Sequence, residues 1–289
     1  MSGVAPTTPP ELVGSRNSRL LGRWRRRPNA VFTAVLSTVV VFGALGYVIV
    51  NAPGWPRVQQ SFFSADVFVE SLPDLLQALV VNIELFLIAE TLILVLALVL
   101  AVMRSLPGPV FFPFRLMAVV YIDIFRALPS VLVIFLFGFG IPGLRLKGLT
   151  NDAFVWGLVA LVMLWSAYVA EVFRAGIEGV HPSQEAAARS LGLSRAQALR
   201  YVILPQAVRR VIPPLLNDFI GLQKDTALVS FVGVVEVFRQ MQQDAGGSFN
   251  FTPYVAGAAI FLVLTIPMAR VVDWLVARDR RRQLASMAR

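Results

Sequence analysis

The chain has no cysteine and a single histidine, His181. Without thiols there is no disulfide framework, iron–sulfur site or thiolate zinc site, and one histidine leaves little for a histidine metal cluster or a Ser-His hydrolase. Charge is also scarce. Only 15% of the 289 residues are charged, 57% are hydrophobic, and the mean hydropathy is +0.71; an ordinary soluble domain carries about 25% charged residues. A chain so poor in charge cannot cover itself in water, and a bilayer is its natural solvent. Acidic residues are the scarcer sign, 17 against 26 basic, for a net charge of +9. That excess could serve nucleic acid, but the arginines cluster at the ends of long apolar runs, as orientation signals do. No nucleic-acid partner is expected.

A hydrocarbon core about 30 Å thick needs roughly 20 helical residues, and six stretches meet that length, near 30–50, 77–103, 116–141, 152–177, from about 209, and 253–277. The expected class is therefore an all-α integral membrane protein with six transmembrane helices. The first run is uncharged until Asn51, Pro53, Gly54 and Pro56 break it. Its basic flank at 1–29 is followed by no small-residue cleavage site, so the run reads as an anchor that stays. Residues 51–76 mix Phe62, Phe63 and Phe68 with Asp66, Glu70 and Asp74 and read as an external interfacial segment. With the N-terminus inside, the inner segments, including a basic tail at 278–289, hold eighteen basic residues and the outer ones four. That asymmetry places both termini in the cytoplasm.

The longest inner loop, 179–210, reads GVHPSQEAAARSLGLSRAQALRYVILPQAVRR. Pro182 and Ser183 can open a helix, Gly192 allows a turn, and Ser194 can cap a second helix ending before Pro205. In this loop the chain resembles the membrane subunits of ABC importers, whose cytoplasmic loop carries E-A-A, three residues, Gly, nine residues, then I-x-L-P. Here Ala186, Ala187, Ala188, Gly192, Val202, Leu204 and Pro205 fall at that spacing, while the glutamate lies one place early, at Glu185. One residue is about 100° around a helix, so that glutamate's contact does not transfer directly. The competing reading is an amphipathic loop with incidental alanines.

The resemblance extends to the polar amino acid branch of these importers through YIDIFRALP at 121–129, SAYVAEVFRAG at 166–176 and KDT at 224–226. It covers about 77–277, the expected permease core. It implies a coupling role for Glu185, Ala186, Ala187, Ala188, Gly192, Leu204 and Pro205, a dimer of identical or related permease subunits, two cytoplasmic ATPases and an external binding protein. ATP and Mg would bind the ATPase partner, since this chain has no GxxxxGK[ST] loop. NFTPY at 250–254 looks most like glutamate or glutamine permeases, and glutamate is the expected cargo.

Ionisable groups at bilayer depth are costly unless paired or wetted, which makes each a functional candidate. Glu171 and Arg174, three apart, can pair on one helix face; they read either as a structural pair or as part of the path. Arg126, before Pro129, can anchor its helix or reach a carboxylate. Lys224 and Thr226 sit where an interrupted helix would hold a zwitterion near the midplane, with Asp225 closing the break. Glu84 and Glu90 are expected on one face, bonded to a neighbouring helix, and His181 is expected to be solvated. The substrate-path candidates are thus Arg126, Pro129, Glu171, Lys224 and Thr226. A proton-coupled carrier or a membrane-embedded enzyme is the rival class, but no repeat links 1–140 with 141–289 and no nucleophile, paired-aspartate or metal signature is evident.

Overall fold

The computed structural model describes residues 28–287, and every regular element among them is helical. The basic flank at 1–27 lies outside the described residues. The chain divides into two compact units, Met1–Gln59 and Gln60–Arg289.

In the first unit, α1 (Pro28–Val50) is long enough, at about 1.5 Å per residue, to cross a hydrocarbon core. Its valines and phenylalanines are exposed on all sides, as suits a helix solvated by lipid. Asn51 closes it, donating from both its backbone N–H (3.1 Å) and its side-chain amide (2.8 Å) to the Tyr47 carbonyl. A short amphipathic helix, α2 (Trp55–Phe62), contains the boundary between units.

The second unit is organised by α3 (Ala65–Ser105) and α6 (Ala153–Glu178), its most extensively packed pair. Along α3, Leu75, Ala78, Asn82, Leu85, Ala89, Ile93, Ala97 and Leu100 are buried, a stripe at the helical repeat, while Leu87, Val95 and Leu98 are exposed. Small residues dominate the seam from both sides, with Ala160, Ala167 and Ala170 buried on α6, and they let the two backbones approach closely. Asp152 caps α6, accepting from the Phe154 N–H at 2.8 Å.

Four expected boundaries need correction. Residues 65–76 are the opening turns of α3, so the helix begins well before 77 and the interfacial segment is correspondingly shorter. Pro73 sits inside it; proline frees the carbonyl four residues back, and that residue, Val69, is solvent-facing. The expected span at 116–141 is a bent pair: α4 (Phe112–Ala127) and α5 (Ser130–Phe135, prolonged by a wide turn to Gly143), with a 108° bend between them. The cause is local, since Leu128 precedes a proline, is pushed out of the helical region and adopts ψ 140. The expected second loop helix does not stop before Pro205. α8 (Arg195–Ala198) passes through a wide turn, Leu199–Ile203, directly into α9 (Leu204–Asp225), which absorbs Pro205, Pro213 and Pro214. Lastly α11 (Thr252–Met287) runs past 277 through the expected basic tail.

By length and composition, four stretches of the described residues can cross a membrane, Val31–Val50, Trp55–Ser105, Ala153–Glu178 and Thr252–Arg278, or five crossings with the bent pair. The fifth expected span, from about 209, corresponds to α9, whose polar residues leave it less apolar than the other crossings.

After α9 the chain tightens into a 3-10 segment, Thr226–Val232, and then α10 (Val237–Ser248). A buried polar knot holds this region. Asn82 donates to Thr226 Oγ1 and to Glu236 Oε2, both at 3.0 Å, and its own carbonyl accepts from the Val237 N–H at 3.1 Å. Glu236, wholly buried, caps α10 by accepting from the Phe238 and Arg239 N–H groups at 2.9 Å. Asn82→Leu removes two donors and an acceptor from groups that have no water to turn to, at a cost of about 1–3 kcal/mol for each group left unsatisfied. It is expected to lower the thermal unfolding midpoint of the detergent-purified protein by several degrees, whereas Leu87→Ala on the exposed face leaves it nearly unchanged.

Candidate functional site

The loop hairpin is built by caps and one left-handed glycine. His181, expected only to be solvated, is exposed but caps α7 (Pro182–Ser190), its Nδ1 accepting from the Ser183 N–H at 3.2 Å. At the other end Gly192 adopts φ +86, a region that costs a residue with a Cβ roughly 1–2 kcal/mol. Ser194 then makes a reciprocal cap with Gln197, accepting from its N–H at 3.3 Å while the Gln197 side chain accepts from the Ser194 N–H at 2.8 Å. Ala188 and Ala198 are buried between the arms, and Ala186, Ala187 and Leu191 face outward. Leu204 and Pro205 are exposed at the start of α9. Glu185 is half-buried and turned toward Arg195 across the turn, 3.9 Å away. The one-residue shift therefore leaves Ala186 on the outer face and draws the carboxylate into the hairpin.

The hairpin's base is clasped. Arg210 donates to the Gly179 carbonyl, and Gly176 of α6 lies directly against Ala207 and Val211 of α9. A Cβ there would collide with Val211, so only glycine permits this approach. Consequently α6, the hairpin and α9 form one braced unit.

One and a half turns deeper on α6, three guanidinium groups converge on Glu171. Arg174 gives it a two-pronged bond, Nε at 3.0 Å and Nη2 at 2.8 Å to Oε2, and also reaches Glu178. Arg104, at the end of α3, bonds to Glu171 as well, and Arg126 of α4 stands 3.7 Å away. The expected Glu171–Arg174 pair is present, and Arg126 does reach a carboxylate. Sequence reasoning does not single out Arg104, although its place at the end of an apolar run is the signal that could find it. Tyr121 adds a second tie between α4 and α6, its hydroxyl lying 2.8 Å from both the Met163 carbonyl and Ser166 Oγ.

Other candidates scatter. Lys224 is exposed at the end of α9, and Asp225 is half-buried beside it. Thr226 is wholly buried, donates to the Gln223 carbonyl at 2.8 Å and accepts from Asn82. Pro129 marks the bend between α4 and α5. Glu84 and Glu90 do not share a face. Six residues turn a helix to about 120° from the starting direction, and Glu84 is exposed while Glu90 is half-buried. NFTPY is a structural staple: Asn250 Nδ2 donates to the Gln60 carbonyl at 3.0 Å, the Phe251 N–H donates to Ser61 at 2.7 Å, and Phe251 stacks on Phe62 at 5.2 Å.

Apolar helices long enough to cross a membrane, joined through a capped, clasped loop hairpin, define a multi-pass membrane protein. The chain belongs to the binding-protein-dependent transport system inner membrane component family, whose model matches residues 93–281. It is a transport subunit and not an enzyme. It is 38% identical to the probable glutamine ABC transporter permease protein GlnM of Bacillus subtilis, over 64% of this chain and 83% of that one. It is 34% identical to the probable amino-acid ABC transporter permease protein PatM of Vibrio harveyi, over 75% of this chain and 96% of that one. The crystal structure of an amino acid ABC transporter with histidines, 34% identical, superposes with a TM-score of 0.67 and covers 73% of this chain and 96% of that one.

Glu171 is 15% exposed and Arg126 44%, which ranks their variants. Glu171→Ala strands two well-placed guanidinium groups and is expected to cost about 2 kcal/mol, less than a fully buried pair because water reaches the cluster. Arg126→Ala should cost under about 1 kcal/mol. Denaturation of the purified protein checks the order; equal effects would contradict the arrangement.

Proposed function

We propose that this chain is the permease subunit of an ATP-driven importer for a polar amino acid, and that the hairpin is its point of attachment to the motor. The reading rests chiefly on the braced continuity from hairpin to membrane. A force applied to Ala186, Ala187 and Leu191 passes through the Gly192 turn into α9 without an intervening flexible joint, and through the Arg210–Gly179 clasp into α6. Two cytoplasmic ATPases, carrying ATP and Mg, would dock on that outer face. A second permease subunit, identical or related, would complete the membrane part, and an external binding protein would deliver the cargo.

The cargo reading narrows to glutamine or glutamate. Similarity to GlnM favours glutamine. The expected preference for glutamate leaned on NFTPY, which is occupied with holding α11 to the start of the second unit, so glutamine is the stronger of the two. ATP binding on the partner would favour one arrangement of the permease pair and hydrolysis the other, the permease contributing only contacts that differ between the two.

Proteoliposomes containing this chain, its ATPase and its binding protein are expected to accumulate labelled glutamine only with ATP; uptake by this chain alone, driven by a proton gradient, would contradict the reading. Gly192→Val, which distorts the turn without touching the spans, is expected to leave membrane insertion and ATPase activity in place while uptake falls at least tenfold. Uptake at the original level in that variant would remove the hairpin from the coupling role.

A further inference from the structure

α11 is long for a single crossing. A hydrocarbon core takes about 20 helical residues, and α11 has 36, so the helix outruns the apolar layer. Its outward face records where that happens. Leu262, Val263 and Ile266 are exposed and apolar, as suits contact with acyl chains; from Arg270 onward the same face turns basic. At about 100° per residue, Arg270, Trp274, Arg278 and Arg281 fall within about 80° of one another and in line with Val263, and all four are exposed. The Arg278 guanidinium lies over the Trp274 ring, 5.1 Å from its centre. Asp273 stands 3.8 Å from Arg270 and answers that charge, whereas neither Arg278 nor Arg281 has an ion pair among the described residues. Beside this stripe a cleft of about 420 Å³ lies between α9 and α11, its wall combining apolar Val272, Val276 and Ala277 with Asn217, Asp273 and Arg281.

We propose that this end of α11 holds an anionic phospholipid, its phosphate received by Arg278 and Arg281 and its glycerol region by the Trp274 ring and the cleft. Guanidinium donors form a fork that matches phosphate oxygens, and the Trp274 ring beneath Arg278 keeps that fork flat. Lipid is favoured over a free anion on two grounds. The basic stripe continues the face that acyl chains cover, with a tryptophan at the change, the residue suited to headgroup depth; and the apolar part of the cleft offers a soluble phosphate nothing. A net negative headgroup is favoured over a zwitterionic one, because an ammonium group here would meet three guanidinium groups and a single carboxylate, Asp273, already engaged by Arg270. Since α9 leads into the hairpin, a lipid seated in the cleft braces α11 against the helix that carries it. The inference is independent of the cargo.

Native mass spectrometry of the full chain in detergent, titrated with phosphatidylglycerol or phosphatidylcholine, measures the binding directly. Each basic side chain beside an anionic headgroup is worth about a fivefold change in affinity. Wild type is therefore expected to bind phosphatidylglycerol at least about tenfold more tightly than phosphatidylcholine, and the double variant Arg278→Gln, Arg281→Gln to lose at least about tenfold for phosphatidylglycerol. Arg145→Gln with Lys147→Gln removes the same charge from another exposed segment and should leave the affinity within about twofold. Excess glycerol 1-phosphate, a headgroup without chains, should not displace the lipid. Equal affinity for the two lipids, equal weakening by the two double variants, or displacement by glycerol 1-phosphate would each overturn the proposal, the last by assigning the site to a soluble anion. If the Arg278, Arg281 variant does not fold, a photoactivatable phosphatidylglycerol on wild type decides: crosslinks within 262–281 support the site, and crosslinks confined to other segments overturn it.

Discussion

A carboxylate set among apolar helices must be answered where it stands, and Glu171 is answered by guanidinium groups from three of them. Arg104 closes the end of α3, Arg126 the end of α4, and Arg174 comes from α6 itself. Because none of these charges can retreat into lipid, the cluster fixes the ends of three helices relative to one another. The alanine seam between α3 and α6 continues that fixation by close packing above it. What hangs below is the hairpin, clasped at its base by Arg210, where α6 is pressed to α9 at Gly176. From cluster to hairpin the chain is tied by the Arg210–Gly179 hydrogen bond and by the burial of Val180, Ala188, Ala198 and Ala207.

This arrangement explains why the irregular backbone is where it is. In hydrocarbon, free backbone groups are tolerated only when buried in protein or facing a wet cavity. The 3-10 segment after α9 is secured by the Asn82–Thr226–Glu236 knot, and the bend at Leu128 and Pro129 lies next to Arg126 and the cavity it helps to wall. The departures from straight helix thus lie where buried polar groups or a charged cavity can satisfy them, while α3, α6 and α11 remain long and unbroken.

Much of this was legible in the sequence because it depends on neighbours a few residues apart. The apolar runs, the Ser194 cap, the Gly192 turn and the Glu171–Arg174 pair all follow from local spacing, and so did the caution that Glu185 could not stand in for Ala186. The structure gives that caution a reason: Glu185 turns inward to Arg195. The features that escaped depend on partners far along the chain. Thr226 looked like a free hydroxyl until Asn82, 144 residues away, was seen to hold it. Prolines misled in both directions: Pro129 breaks a span that hydropathy left whole, whereas Pro73 and Pro205 lie inside continuous helix, Pro73 because the carbonyl it frees faces solvent and Pro205 because it falls in the first turn of α9. NFTPY resembled a signature of cargo and proved to be a staple, since a motif's similarity does not reveal what its side chains touch.

The central claim is that hairpin and helices move as a single piece, and an intramolecular distance tests it most directly. Spin labels at Ala187 on the hairpin and Val99 on α3, in one labelled copy per transport-competent complex, can be compared with and without trapped ATP by pulsed electron resonance. The account predicts that their separation stays the same in both states. A shift of about 5 Å, one helical turn, in a complex that still transports would show the hairpin sliding against the helices and contradict it.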